Sequence, residues 1–147
     1  MTDLHSMTGT VQEDATQVVQ FRLGTERYCV EIDRVSELVH MDELTSIPNA
    51  DAHVEGVMDL RGQTTTIVDP RVVLDVDEDG PRKRVIVFAG EDGDQGDVGW
   101  VVDEVEEVRT IPDDDVDTSV TRDREAVRGI VKDEEFKVLL DPAEING

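Results

Sequence analysis

The chain has 147 residues, and its 36 acidic and 14 basic side chains give a formal net charge of −22 at pH 7. Apolar residues make up 37% of it, which is enough for the core of one domain or of two small lobes. The strong negative charge argues against nucleic acids and anionic membranes as partners, because binding to phosphates needs a basic surface.

The first residues, 1–16, are predicted to be a flexible tail. They lack both the basic and the apolar segment of a secretory signal, and no apolar run in the chain reaches the length of a transmembrane helix. Cys29 stands alone, so no internal disulfide can form, which fits a reducing compartment. We therefore expect a soluble, cytoplasmic protein whose residues 17–147 form a single domain.

Short strands are predicted from the end of the tail onwards. An apolar run, 18–24, ends in Gly24, and apolar and polar residues then alternate through 27–32. This pattern predicts a hairpin whose second strand is buried on one face. Cys29 has apolar neighbours there and no nearby cation, so we expect a small core residue rather than a reactive thiol.

Two Asp-Pro pairs, Asp69-Pro70 and Asp141-Pro142, each follow a predicted strand. Aspartate is a preferred N-cap residue, and proline fits the first position of a helix because its missing N–H would have no partner there. Each pair therefore predicts the start of a short helix.

The second half of the chain repeats the landmarks of the first half in the same order. IDRVSELV (32–39) matches VDEVEEVR (102–109) in the pattern aliphatic-Asp-x-Val-x-Glu-aliphatic. Three further pairs are VVQFRLG (18–24) with VIVFAG (85–90), TSIP (45–48) with RTIP (109–112), and VEGVMDLRGQTTTIVDP (54–70) with VRGIVKDEEFKVLLDP (127–142). We infer two copies. Each copy is predicted to be a barrel of about five strands, with lobe 1 at roughly 17–76, a charged linker at 77–83 and lobe 2 at roughly 82–147.

No catalytic, cofactor or metal site is predicted. The acidic loop 90–99 suggests calcium, but Asp97 stands where an EF-hand loop requires glycine. The chain also lacks the glycine-rich phosphate-binding motifs and the nucleophile motif G-x-S-x-G. The histidines are too scattered to form a ligand pair on one element: His5, His40 and His53.

The two copies differ at one predicted hairpin. Copy one has Asp59-Leu60-Arg61-Gly62, where copy two has Lys132-Asp133-Glu134-Glu135, so the fold itself does not demand Leu-Arg-Gly. Two interpretations remain open. Arg61 pairs with a local carboxylate such as Glu37 in an ordinary turn, or the hairpin is a docking edge at which the planar guanidinium orients a partner.

Taken in order, these segments resemble the CheW-type chemotaxis coupling proteins. The stretch from Gly56 to Gly62 is similar to the family pattern G-V-x-N-L-R-G, and Thr66–Arg71 is similar to P-[IV]-[IV]-D-L-R. The resemblance also covers FRLGTERYCVEIDRVSELV (21–39), VGWVVDEVEEV (98–108) and RGIVKDEEFKVLLDP (128–142). Three positions depart from the family pattern, with aspartate for asparagine, threonine for proline and proline for leucine: Asp59, Thr66 and Pro70.

The resemblance implies a mainly β fold of two SH3-like, five-stranded barrels that share a core, with short helices. It also implies a non-catalytic adaptor, without a cofactor, that links methyl-accepting chemoreceptors to the regulatory domain of a chemotaxis histidine kinase and so associates with membrane receptor arrays through its partners. The implied partner-binding residues are Val35, Glu37, Gly56, Leu60, Arg61, Gly62 and Val108.

Two alternatives are kept beside this interpretation. One is a regulatory or scaffold module of the same fold in a non-motility pathway. The other, less favoured, is a metal-dependent binding protein that uses the acidic loop 90–99.

The dispersed carboxylates, with only three lysines against eleven arginines, are typical of proteins from extreme halophiles. At about 1 M salt the Debye length is only ~3 Å, so the acidic groups would hardly repel one another. We therefore expect the fold to loosen as salt is removed.

Overall fold

The computed structural model describes residues 15–76, 83–88, 97–119, 126–132 and 136–146. These ranges contain strands, two short α-helices and two single 3-10 turns, at Ile32–Arg34 and Asp113–Asp115. The strands are β1 (Ala15–Leu23), β2 (Glu26–Glu31), β3 (Val35–His40), β4 (Val54–Leu60), β5 (Gln63–Val68), β6 (Arg84–Phe88), β7 (Asp97–Val102), β8 (Glu104–Pro112), β9 (Val116–Asp117), β10 (Val127–Lys132) and β11 (Phe136–Leu140). The helices are α1 (Pro70–Leu74) and α2 (Pro142–Asn146).

The strands form two mixed sheets, which confirms the mainly β fold. The first sheet has six strands in the order β8-β1-β2-β11-β10-β9, and the second has five in the order β3-β6-β7-β5-β4. Neighbouring strands are antiparallel except for β2 with β11 and β5 with β7. No strand pair closes either sheet within the described ranges, so the expected barrels are seen as open sheets.

The order of strands confirms the internal repeat. If β8, β1, β2, β11 and β10 are matched with β3, β6, β7, β5 and β4, both sheets have the same order, and the parallel pair falls at the same place in each. One sequence match was wrong. The segments 45–48 and 109–112 are not equivalent, because Ile47 is exposed in a loop whereas Ile111 is buried in β8.

The sheets do not follow the two halves of the sequence. Along the described chain the second sheet is built from residues 35–102, whereas the first combines 15–31 with 104–140. The predicted lobe bounds, roughly 17–76 and 82–147, therefore need correction. The parallel pairing of β2 with β11 causes the exchange, and local sequence patterns cannot reveal a pairing between strands so far apart.

Three apolar clusters fill the molecule. One lies within each sheet and takes residues from all of its strands, which requires both sheets to curve. The third lies between the sheets, where Trp100 of β7 packs 4.5 Å from Phe88 and 6.0 Å from Phe21, measured between ring centroids. The predicted shared core is thus present. Cys29, as predicted, is fully buried, in the cluster of the first sheet.

Strand β2 differs from the prediction of a half-buried strand. Tyr28 and Val30 face the shared core, whereas Cys29 faces the cluster of the first sheet. Both faces of the strand are therefore covered, because β2 lies between a curved sheet and the interface with the other sheet.

Both predicted helix starts are confirmed. Pro70 and Pro142 open α1 and α2, and each is preceded by an aspartate whose Oδ1 accepts a backbone N–H two residues further on, at 3.0 Å from Arg71 and 3.1 Å from Ala143. None of the helices in the described ranges is long and apolar enough to cross a membrane.

Candidate functional site

The hairpin between β4 and β5 turns on two residues, Arg61 and Gly62. Their φ angles are 54° and 83°, and two positive values at the centre of a two-residue loop are typical of a type I′ turn. Asp59 accepts a hydrogen bond from the Gly62 N–H at 2.8 Å through its carboxylate. Aspartate at this position thus helps to close the turn, and Arg61 is a non-glycine residue in the left-handed region.

The guanidinium of Arg61 binds the carboxylate of Glu37 in a two-pronged ion pair. Nη1 donates to Oε2 at 3.0 Å and Nη2 donates to Oε1 at 2.5 Å. Hydrogen bonding and the charge of Glu37 raise the pKa of Arg61 above its ordinary value, so it stays cationic. The side chain is 71% exposed all the same. The pairing predicted with Glu37 is therefore present, and it leaves the arginine accessible.

The ion pair connects two edges of the second sheet. Glu37 lies on β3 and Arg61 follows β4, and these strands are at opposite ends of the strand order. The pair thus brings the two edges together at one end of the curved sheet, which no local sequence pattern indicated.

Val35 and Leu60 belong partly to the interior. Val35 packs against the shared core, and Leu60 packs against the cluster inside the second sheet. Each has only part of its side chain available to a partner; Val35 lies on β3 with Glu37, and Leu60 ends β4 directly before Arg61.

Gly56 and Gly62 require glycine for different structural reasons. A Cβ on Gly56 would lie 2.5 Å from the backbone oxygen of Thr45, and its φ is 153°. Gly62 faces open space, so only its positive φ favours glycine. Gly56 is therefore explained by the close approach of the chain at Thr45, which bridges Val57.

Val108 is not brought together with the other residues. It lies on β8, the edge strand of the first sheet, and is 51% exposed, whereas the other predicted site residues lie on β3 or on the hairpin of the second sheet. The structure therefore separates the predicted residues into a cluster on one sheet and a single apolar position on the other.

Comparison with known proteins agrees with this fold. Residues 17–146 match the family described as CheW-like domain. The chain belongs to this CheW-like family.

Two curated relatives of the CheW-like chain are named chemotaxis protein CheW. The one from Rhizobium meliloti is 30% identical over 119 residues, which cover 78% of this chain and 76% of the relative. The one from Bacillus subtilis is 27% identical over 134 residues, which cover 90% and 79%. The crystal structure of the scaffolding protein TtCheW from Thermoanaerobacter tengcongensis superposes with a TM-score of 0.76 at 26% identity, covering 86% of this chain and 84% of that one.

An acidic cavity of the CheW-like chain lies beside the hairpin, and the sequence reasoning missed it. It has a volume of about 340 Å³, and its lining includes Asp42, Glu43 and Asp59 together with Val57 and Met58. Within the described ranges no three His, Cys, Asp or Glu side chains come close enough to hold a metal ion. Residues 90–96 of the acidic loop lie outside those ranges.

Proposed function

We propose that this protein is a non-catalytic chemotaxis adaptor that couples methyl-accepting chemoreceptors to the regulatory domain of a chemotaxis histidine kinase. Membership of the CheW-like family over residues 17–146 supports the general role. The observation that carries the specific proposal is the exposed guanidinium of Arg61, fixed by Glu37 at the tip of the β4–β5 hairpin. The proposed place of action is the cytoplasm, at membrane receptor arrays that the protein reaches through its partners.

The geometry of the hairpin suits docking. Arg61 is held in place before any partner arrives, by the two-residue turn, by the hydrogen bond from Gly62 to Asp59 and by its own two hydrogen bonds to Glu37. Little side-chain freedom is therefore lost on binding. The outer part of the guanidinium remains available for a directed contact. We propose that Val35, Leu60 and the glycine turn at Gly62 supply the adjoining contact area.

We further propose that the two sheets present separate partner surfaces. The hairpin and β3 belong to the second sheet, and Val108 is an exposed apolar residue on the edge strand β8 of the first. Two surfaces on different sheets would allow one small protein to hold a receptor and a kinase at the same time.

Arg61→Glu tests the docking role. We expect the variant to fold but to lose co-purification of the receptor cytoplasmic fragment, the kinase regulatory domain, or both, from solutions of equal and high potassium chloride concentration. Arg128→Glu is a matched control, because Arg128 is also an exposed arginine with a carboxylate partner, Glu31 at 2.6 Å, and gives the same change in charge. Undiminished binding by Arg61→Glu, or equal loss in both variants, contradicts the proposal.

A charge swap separates docking from turn structure. Glu37→Arg combined with Arg61→Glu restores an ion pair between β3 and the hairpin but reverses the charge that a partner meets. If Arg61 only supports the turn, the swap restores binding; if Arg61 docks the partner, binding stays lost. Wild-type protein that retains a kinase from another pathway, and no chemoreceptor, would instead favour the non-motility adaptor.

A further inference from the structure

The two sheets are connected by the described chain at two crossings. The first is the 3-10 turn Ile32–Arg34 between β2 and β3, and the second is the single residue Asp103 between β7 and β8. Any change in the angle between the sheets must be accommodated at these points.

Asp103 is buried and bound from the side of the first sheet. Its Oδ2 accepts the N–H of Gly24, in the β1–β2 turn, at 3.0 Å. Its own N–H donates to the carbonyl oxygen of Arg22, in β1, at 3.1 Å. The crossing residue is thus attached to the hairpin that begins the first sheet.

Asp103 is also bound from the side of the second sheet. Its Oδ1 forms an ion pair with Nη2 of Arg71, and Arg71 belongs to α1, which directly follows β5. Nη1 of Arg71 lies 3.5 Å from Oδ1 of Asp69, the N-cap of the same helix. All three charged side chains are at most 4% exposed. The contacts therefore run from the second sheet, through the crossing, to the first sheet.

The equivalent place in the repeat has no such ion pair. By the sequence match Asp33 corresponds to Asp103 and Ala143 to Arg71, but Asp33 is exposed and Ala143 carries no charge. On that side α2 is joined to the second sheet by a neutral hydrogen bond, from Trp100 Nε1 to Asn146 Oδ1 at 2.7 Å. The repeat alone does not demand the charged cluster, so its presence on one side needs another reason.

The hydrophobic effect by itself does not supply directional specificity. The force that buries the shared core is roughly proportional to area and has no preferred direction, so the buried area alone does not fix the angle between the sheets. A buried ion pair adds little net stability, but misalignment that separates the partners leaves buried charges unpaired. A charged pair at a crossing point therefore disfavours angles that separate its two members.

We propose that Arg71 and Asp103 form a lock that sets the angle between the two sheets. If the two sheets carry separate partner surfaces, which rests on the proposed function, the lock also fixes the angle at which receptor and kinase are held. Arg71 is then a positioning residue: it acts through the orientation of the sheets, and its own buried side chain contacts no partner.

The double variant Arg71→Met with Asp103→Asn removes both charges together and keeps a side-chain oxygen for the Gly24 N–H. Backbone residual dipolar couplings of the full chain measure the orientation of each sheet in solution. In the wild type we expect one alignment tensor to fit both sheets, and in the double variant we expect loss of the common tensor. Val87→Ala is the control, because Val87 lies in the cluster of the second sheet; its couplings should still fit one tensor.

A common tensor with the wild-type angle in the folded double variant overturns the lock. If the double variant does not fold, the single variant Asp103→Asn removes one charge of the pair and keeps a side-chain oxygen for the Gly24 N–H, and wild-type couplings in that folded variant also overturn the lock. The partner measurement is independent: we expect each single complex to persist and the joint complex of receptor and kinase to be lost. Failure of the wild type to bind either partner contradicts the proposed function and leaves the result on the lock intact.

Discussion

Gly56 lies in β4 next to Val57, which forms an antiparallel bridge with Thr45. A methyl group on Gly56 would stand 2.5 Å from the backbone oxygen of Thr45, closer than real Cβ atoms come to such an atom. Because the obstacle is backbone, it cannot be relieved by a rotamer change. We therefore expect Gly56→Ala to separate Thr45 from Val57, whose two mutual backbone hydrogen bonds measure 2.9 Å each.

The loss of unfolding free energy in Gly56→Ala can be estimated from these contacts. Two backbone hydrogen bonds at about 1 kcal/mol each contribute ~2 kcal/mol. An alanine held at the φ of 153° adds about 2 kcal/mol of backbone strain. The total of ~4 kcal/mol is a large part of the stability of an ordinary domain and corresponds to a fall in Tm of about 12 °C for a chain of this size.

Two other glycines give matched controls. The methyl group of Gly62→Ala would enter open space, and only the φ of 83° would be strained. We therefore expect this variant to lose about 1 kcal/mol of unfolding free energy. Gly129 is the counterpart of Gly56 in the repeat. A Cβ there would lie 2.8 Å from a side-chain atom of Val116, which can move. We expect Gly129→Ala to lose about 2 kcal/mol of unfolding free energy. Urea unfolding of all three variants at one salt concentration ranks their unfolding free energies.

A Gly56→Ala variant as stable as Gly62→Ala, with the Thr45 N–H still protected from hydrogen exchange, would refute this reasoning. The expected result also affects the reading of binding data. A loss of partner binding on substitution of Gly56 would then report a displaced β4 edge, whereas the same loss at Arg61 would report a lost contact.

Three further outcomes are expected. Trp100→Phe removes the donor to Asn146 in a buried site and should cost about 2 kcal/mol in urea unfolding; an unchanged midpoint would show that the bond is dispensable. Burial raises the pKa of Glu106, but hydrogen bonds from Gln20 and Arg27 outweigh it, so its folded pKa lies below the ordinary 4.5. Glu106→Gln should therefore be less stable than the wild type near neutral pH, and the difference should shrink as pH falls below about 4.5; a difference independent of pH would contradict this. Finally, Tm should rise between about 0.1 M and 1 M potassium chloride, as the Debye length falls from ~10 to ~3 Å, and a flat Tm would refute the role of charge repulsion.

Local chemistry made several features predictable from the sequence. The Asp-Pro pairs identified both helix starts because capping and the geometry of proline act within a few residues. Gly24 identified the first hairpin for the same reason. The pairing of Arg61 with Glu37 was predicted only as one alternative, because the two residues are 24 positions apart and their contact depends on the curvature of the second sheet.

The short strands, the turns, the helix caps, the internal repeat and membership of the CheW-like family could all be recognised from the order of residues along the chain. Which strands pair became apparent from the three-dimensional fold: the second sheet is built from one continuous part of the chain, and the first is assembled from both ends. The same holds for the close backbone contact at Gly56 and for the contact of Arg71 with Asp103 in the interior. The physical reason is range: capping and turn formation involve neighbouring residues, whereas strand pairing and buried charge contacts join residues that only the complete fold brings together.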